Sequence, residues 1–451
     1  MAEINEARTQ AEGDAITPLT FTVTEPGRSC TIAMTKSGSA PELHLEYSTD
    51  GGVSWTPFIA GTTEITLSGY NSAALLRASQ PNTCISNKEG VNKFLLTGLN
   101  VSVSGNVNAL LNADTPVDAL PLYCFSQLFT DAYSIRDASK LELPANTLAG
   151  SCYSSMFKGC YNLLAHPASL PATTLARECY ASMFYGCSSI SDAPTLPATQ
   201  LAEGCYRAMF QGCTQLYTAP ELPATSTVLH CYENMFFACQ ELLAAPALPA
   251  TLLEPYCYKY MFYGCTSLTK APVLPAARIF LECYERMFEG CTSLVEAPEL
   301  PATQLGEGCY AFMFSKCTAL TVAPALPATT LSEGCYSGMF LECINLTEAP
   351  ALPSTTLVRN CYYAMFLGCT SLTEAPVLPA PTLVLNCYAD MFNECTALRR
   401  LVVGFKDWSD DLNATQNWVS GVSATGEFHC RRGLPRIYDA SHIPGVAPES
   451  N

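Results

Sequence analysis

Residues 361–380 read CYYAMFLGCTSLTEAPVLPA, and close copies of this phrase fill most of the chain. Each copy opens on Cys-Tyr, and its second cysteine lies eight residues after the first. The opening cysteines are separated by one step of 27 residues and then by eight steps of 26. They are Cys152, Cys179, Cys205, Cys231, Cys257, Cys283, Cys309, Cys335, Cys361 and Cys387. A fixed period this short is typical of a solenoid, in which each repeat packs only on its neighbours.

The apolar residues between the two cysteines follow a helical spacing. Advancing about 100° per residue places Cys361, Tyr362, Met365, Phe366 and Cys369 on one side of a helix. We therefore predict a helix of about two turns in each repeat, with these side chains in the core and the variable residues between them in solvent.

The residue before the second cysteine is glycine in six of the ten copies. In the other four it is Ala238, Lys316, Glu342 or Glu394. Because residues with a Cβ atom avoid the left-handed backbone region, we do not expect a left-handed turn at this position.

The second half of each repeat, S-L-T-x-A-P-x-L-P, is extended in character and predicts one short strand per rung. Stacked strands would form a parallel sheet with neighbours about 4.8 Å apart, and the prolines would limit its hydrogen bonds. The predicted fold class is therefore an α/β solenoid, with one short strand and one short helix in each 26-residue rung, preceded by a small β-sandwich.

The phrase MFLGCTSLTEAPVLP at residues 365–379 resembles the BspA-like class of leucine-rich repeats, whose units carry Ala-Phe-x-x-Cys-x-x-Leu-Thr followed by Ile-Pro. The resemblance covers about residues 121–404, with Met in place of the family's Ala. It implies a leucine-rich-repeat-like fold and a role in surface adhesion and protein binding, not an enzymatic one. The segment VSVSGNVNALL at residues 101–111 is similar to linkers in repeat proteins of gut Bacteroidetes and phages.

Four segments are predicted along the chain. Residues 1–16 form a flexible N-terminus, and residues 17–112, with alternating stretches such as LTFTVT and LHLEYS, form a β-sandwich that is a candidate anchoring domain. Residues 113–404 form the solenoid, with the degenerate copy LYCFSQLF at residues 122–129 as its N-terminal cap. Residues 405–451 form a C-terminal cap and tail, in which WVSGVSATGEFHC predicts a short hairpin.

The paired cysteines of the repeats are predicted to be buried, reduced thiols. Eight helical residues would separate their Cα atoms by about 12 Å, beyond the roughly 7 Å that a disulfide allows. No histidine recurs with the repeat, so a zinc site lacks its ligands, and we predict no metal and no cofactor. Outside the pairs, a bridge between Cys30 and Cys84 stays open as an alternative.

Composition excludes two classes of partner. The formal net charge is −17, so the surface should repel phosphate backbones, and we predict no nucleic-acid binding. No window approaches the 18 to 20 or so uninterrupted apolar residues of a membrane-spanning helix, so we predict no membrane insertion. The polar, acidic N-terminal segment MAEINEARTQAEGDA does not predict a secretory signal.

The candidate binding surface is a variable column on the residue before Ala-Pro. Stacked strands would align these side chains into one solvated ribbon, since adjacent carboxylates are tolerated only in water. An ordinary hydrated face is the alternative interpretation. The ribbon consists of Asp192, Thr218, Ala244, Lys270, Glu296, Val322, Glu348 and Glu374. No set of residues suggests catalysis, because the five histidines are scattered and neither a nucleophile elbow nor a phosphate-binding loop is present.

These observations favour a non-enzymatic binding or structural protein with a long repeat surface for a protein or glycan receptor. Our first hypothesis is a bacteriophage virion component assembled in the host cytoplasm, whose N-terminal domain contacts other virion proteins. The alternative is a BspA-like adhesin on the bacterial cell surface or secreted, and a glycan-active enzyme is a third possibility. The sequence leaves the ligand and the oligomeric state open.

Overall fold

A computed structural model describes residues 16–115, 117–409 and 412–445. The predicted flexible N-terminus, except for Ile16, and the end of the tail after Gly445 lie outside the described residues. The chain divides into two compact units, Met1–Leu216 and Tyr217–Asn451.

The first unit opens with short strands whose alternate residues are buried. Their bounds are β1 Leu19–Val23, β2 Ser29–Gly38, β3 Leu45–Ser48, β4 Thr56–Phe58, β5 Glu64–Ser68, β6 Ala73–Ala78, β7 Gly90–Gly98, β8 Val101–Asn106 and β9 Ile135–Glu142. A short 3-10 helix, Val107–Leu110, follows β8 and is capped by the Asn106 side chain. The period-two alternation buries one face of each sheet.

These strands form a six-stranded sheet in the order β4-β3-β6-β1-β8-β9 and a three-stranded sheet in the order β5-β2-β7. The buried faces meet where Phe21 of β1 packs edge to face on Phe94 of β7, with ring centroids 4.9 Å apart. Strand β9 lies beyond residue 112, the predicted end of the first domain, yet it pairs in parallel with β8. The sheet therefore continues across the predicted domain boundary into the repeat region.

The predicted helix in each rung is wrong, because the segment between the two cysteines is a ribbon of successive turns. No α-helix is present in residues 16–115, 117–409 and 412–445. The Met156 N–H donates to the Tyr153 carbonyl at 3.2 Å, closing a turn, whereas the Phe157 N–H donates to Met183 of the next rung at 2.8 Å. This alternation continues along the ribbon. Half of the N–H groups thus bind the neighbouring rung, as in a parallel sheet and unlike a helix.

Every fourth residue of the turn ribbon has a left-handed backbone. In the first rung these residues are Ser151, Ser155 and Gly159, with φ of 54°, 56° and 76°. The first, second and third left-handed positions lie one residue before, three after and seven after the opening cysteine, and all ten rungs have positive φ at each of them. At the third position φ is 58° for Ala238, 62° for Lys316, 58° for Glu342 and 61° for Glu394. Our expectation that this position is not left-handed is therefore wrong, because rung stacking overrides the preference of the individual residue.

The core of each rung is built from the side chains predicted to face inward. In the second unit, the tyrosines that follow the opening cysteines stack with ring centroids 5.7–5.9 Å apart, from Tyr232 to Tyr388. A parallel stack of phenylalanines has spacings of 5.6–5.8 Å, from Phe236 to Phe392. The twenty cysteines of the ten pairs and the methionines between them are all buried. Burial and offset stacking of these rings are the main stabilising contributions.

The second cysteine of a rung also makes a hydrogen bond. The Cys317 thiol donates to the Phe288 carbonyl at 3.1 Å, and Cys343 donates to Phe314 at 3.0 Å in the same way. All 24 cysteines are free thiols, Cys30 and Cys84 among them. Burial raises the pKa of the Cys343 thiol to about 12. The Cys343 thiol is therefore a protonated donor at neutral pH.

In place of the short strand predicted for each rung, the structure has isolated β-bridges between neighbouring rungs. Thr218 bridges Ala244, Ala244 bridges Lys270, and Lys270 bridges Glu296, all in parallel. Each bridge precedes Ala-Pro, and because proline has no N–H, the ladder stops there.

The two ends of the repeats carry degenerate copies of the turn ribbon. At the N-terminal end, Tyr123, Gln127 and Asp131 have positive φ, within and just after the predicted cap. At the C-terminal end, the same four-residue spacing recurs at Asn413 and Asn417, a copy that was not predicted from the sequence. The expected C-terminal hairpin is wrong, because β11 (Glu427–His429) pairs in parallel with β10 (Arg400–Val402). Two buried tryptophans, Trp408 and Trp418, close this end, with ring centroids 6.1 Å apart.

Candidate functional site

The first candidate surface is the bridge column, which consists of the eight ribbon residues named from the sequence. Within the second unit the bridges join Thr218 to Glu296 in register, Val322 to Glu348, and Glu374 to Arg400. All members of the column are exposed. Asp192 lies in the first unit, where its carboxylate is 3.4 Å from the His166 ring. The structure therefore aligns the column members of the second unit along the exposed edge of the bridges.

The bridge column changes in chemical character from rung to rung. Lys270 and Glu296 lie on adjacent rungs and are followed by the half-exposed Val322. Glu374 forms a 3.5 Å ion pair with Arg400. Beside the column, the alanines and prolines of Ala244–Pro249 and Lys270–Pro275 line a shallow groove of about 400 Å³. This surface offers mixed contacts over a long line, and its side chains do not converge on one point.

A second surface, which we call the turn face, carries the exposed side chains of the turn ribbons. Its charges are concentrated in the second unit, where the Lys259 ammonium bridges Glu282 and Glu285, the latter at 2.7 Å. Arg286 pairs with Glu289 at 2.5 Å. Burial, with a hydrogen bond that the protonated Glu285 donates to the Glu282 carboxylate, raises the pKa of Glu285 to about 7 against the opposing effect of Lys259. The Glu285 carboxyl group is therefore partly protonated at neutral pH, whereas the pKa of Glu282 is lowered.

Aromatic rings stack beside these charges on the turn face. The His230 ring stacks on Tyr256 with centroids 4.8 Å apart, and Phe237 stacks on Tyr263 at 4.5 Å. Tyr256 and Tyr260 both occupy left-handed positions, with φ of 60° and 56°. Bulky side chains are rare at such positions, where glycine is favoured. The rings pack on one another, and the Lys259 ammonium lies over Tyr256 and Tyr260. They therefore form a packed wall and leave no open site between them.

Next to this wall, the turn face has a recess that we call the notch. Two columns define it: the first left-handed position and the residue two after the opening cysteine. Two successive rungs carry small residues in both columns, Gly308 with Ala311 and Gly334 with Ser337. The flanking rungs carry larger side chains, so a recess of about 480 Å³ opens between them. Its other lining residues are Glu282, Glu285, Glu307, Glu333, Asn360, Tyr363 and Asn386.

The notch is not among the surfaces predicted from the sequence. The signal was present, because glycine occurs at the first left-handed position in consecutive repeats, at Gly308 and Gly334. In the predicted helix, however, Gly308 and Gly334 would precede the first helical residue, so the sequence does not place them beside Ala311 and Ser337. Over the described parts of the chain, no group of three or more His, Cys, Asp or Glu side chains is arranged to hold a metal ion. The same residues include no helix that is long and apolar enough to cross a membrane.

The repeats of this chain are similar in sequence to a known repeat family, and the chain is similar to solved structures. The family model described as BspA type leucine rich repeat region matches six copies, over residues 128–269 and 177–320. The structure of a leucine rich cell surface protein from Faecalibacterium prausnitzii is similar at 17% identity, with 67% of this chain and 86% of that chain covered and a TM-score of 0.38. A leucine-rich repeat protein from Bacteroides ovatus is similar at 16% identity, with coverage of 73% and 96% and a TM-score of 0.38. The sequence matches no curated protein.

Proposed function

We propose that this chain, whose repeats belong to the BspA type of leucine-rich repeat, is a non-enzymatic adhesin that acts on a bacterial cell surface or after secretion. The adhesion and protein-binding roles of such repeats support this proposal. The comparisons give no support to a phage virion component, our first hypothesis from the sequence. The cell-surface alternative fits the family better, and the sheets of residues 17–112 are the candidate anchor.

One observation carries the proposal, namely the contrast between an unchanging core and changing exposed columns. The core of every rung repeats Cys, Tyr, Met, Phe and Cys. The bridge column instead carries residues of different chemical type, such as Thr218, Lys270 and Val322, in no regular order. The turn face varies in the same way. A solenoid built like this keeps its stability in the stacked core, and its exposed columns are free to match a partner.

The experiment that tests this function measures adhesion directly. The purified chain should bind immobilised mucin or epithelial cells in a saturable manner, and antibodies against it should label intact bacteria that express it. A charge-reversed variant of the bridge column, Lys270→Glu with Glu296→Lys, retains the net charge and tests whether that column is the contact. Absence of saturable binding, combined with co-sedimentation with phage particles, would restore the virion hypothesis.

A further inference from the structure

We propose that the notch on the turn face of the second unit is a binding site for a neutral saccharide. This inference rests on the proposed binding function and names a ligand class for one site. The notch is bounded by Glu282 and Glu285 on one side and by Asn360 and Tyr363 on the other, with Gly308 and Gly334 as its floor.

The shape of the notch favours a compact ligand. The rungs of Glu285 and Tyr363 are three steps apart, which at about 4.8 Å per step separates the two walls by about 14 Å. The volume of about 480 Å³ lies within the range of about 300–1,000 Å³ usual for small-ligand sites. An extended peptide crossing the notch along this direction would place only about four residues between the walls. A saccharide of one to three rings fits this space better than a polypeptide segment.

The charges of the notch are mostly neutralised within the protein. Lys259 bridges Glu282 and Glu285, and Arg359 pairs with Glu333 at 3.4 Å. Among the described residues, this leaves Glu307 as the one lining carboxylate without a cationic partner. A basic peptide would therefore gain little Coulomb energy here, and an anionic glycan would have to compete with these carboxylates for Lys259 and Arg359. The charge balance accordingly favours an uncharged ligand.

The remaining polar groups of the notch supply both donors and acceptors. The side chains of Ser337, Asn360 and Asn386 have no hydrogen-bond partner in the described parts of the chain, and neither does the Glu307 carboxylate. Amide groups donate and accept, and carboxylates accept. Sugar hydroxyls also donate and accept, so they can satisfy such a mixed set at once. Burial and the nearby Asp390 carboxylate raise the pKa of the Tyr363 hydroxyl, and the ring itself offers apolar surface on the wall.

The test fills the notch with residues that the fold already accepts in neighbouring rungs. Gly334 has φ of 60° with no atom within 4 Å of a Cβ, and Asn occupies the same position at Asn360 and Asn386. Gly334→Asn therefore adds a side chain to the floor at little cost in folding. Ser337→Tyr copies Tyr363 in the same manner. The matched control is Gly204→Asn, the same column position with φ of 58° in the first unit and outside the notch.

The full chain and these variants are titrated against immobilised neutral oligosaccharides of glucose, galactose, mannose and N-acetylglucosamine, with sialylated and sulfated oligosaccharides and a polylysine peptide alongside. We expect the unchanged chain to bind at least one neutral oligosaccharide and neither anionic ligands nor polylysine. Gly334→Asn and Ser337→Tyr should each weaken that binding about tenfold or more, because they displace ring contacts and hydrogen bonds. Gly204→Asn should leave it unchanged, and thermal unfolding verifies that every variant is folded.

The inference would be overturned if no neutral oligosaccharide binds, or if filling the notch leaves saccharide affinity unaltered. It would also be overturned if polylysine binds the unchanged chain and Gly334→Asn and Ser337→Tyr weaken that binding. The adhesion assay separates this outcome from failure of the proposed function. If Gly334→Asn adheres to mucin and cells as the unchanged chain does, the adhesin proposal survives and the notch proposal falls. If the unchanged chain adheres to neither surface, the proposed function itself fails.

Discussion

The substitution Gly290→Ala distinguishes the turn ribbon from a helix by the sign of its effect on stability. Gly290 precedes the second cysteine of its rung and has φ of 76°. A Cβ atom there would lie 3.6 Å from the Gly264 Cα, an ordinary van der Waals contact, so no clash contributes. The effect is therefore purely conformational, and the two backbones predict opposite outcomes.

The magnitude follows from two opposing contributions. Alanine in the left-handed region costs about 1–2 kcal/mol relative to glycine. Alanine also restricts the unfolded chain, which returns about 0.4–1 kcal/mol. The turn ribbon thus predicts that the free energy of unfolding falls by about 0.8 kcal/mol, and by about 1.6 kcal/mol at most. In the interior of a helix the same change would raise it by about 0.8–1 kcal/mol.

Urea-induced unfolding of the full chain, followed by circular dichroism, measures this difference. The midpoint should fall with no change in the slope of the transition. Gly338→Ala provides a comparison, because its Cβ would clash with the Phe312 ring and should destabilise more than Gly290→Ala does. The reverse change, Lys316→Gly, should raise the midpoint, since Lys316 is left-handed and its ion pair with Glu289 is long, at 3.9 Å. A higher midpoint for Gly290→Ala would refute the turn ribbon.

Three further predictions concern the core. Phe288→Ala removes a buried ring stacked 5.6 Å from Phe262 and should lower the free energy of unfolding by about 3–5 kcal/mol, measured by the same denaturation; a loss below about 1 kcal/mol would contradict the stacked core. Iodoacetamide at pH 8, read by mass spectrometry, should label the partly exposed Cys84 and Cys430 first and the repeat thiols only in denaturant; early labelling of repeat thiols would contradict their burial. Burial raises the pKa of Cys343 from 9.0 to about 12, so between these pH values the folded chain retains a proton that the unfolded chain releases. The free energy of unfolding should therefore fall as the pH rises from 9 towards 12. A free energy of unfolding that does not change over this pH range would exclude the linkage.

The sequence predicted which side chains are buried but not the backbone that buries them. Apolar residues at Cys361, Tyr362, Met365, Phe366 and Cys369 recur with a period near four, which fits one face of a helix and also a chain of four-residue turns. What separates the two backbones is the partner of every second N–H group, and in the ribbon that partner lies a full rung away. Such non-local bonds leave no mark on local periodicity. The glycine that precedes the second cysteine in six copies did indicate a left-handed residue there. The four copies without glycine at that position argued against it.

The candidate sites differ in the same respect. The bridge column could be listed from the sequence because a single position before Ala-Pro defines it, and stacking needs only the period. The notch depends on two columns being small in the same two rungs, so its detection requires knowledge that positions three residues apart face the same side. In a turn ribbon the first left-handed position and the residue three further on both border the recess, as Gly334 and Ser337 do. A recess in a solenoid of this kind therefore arises when neighbouring rungs lose bulk together, and comparison of side-chain size between successive repeats is the way to locate it.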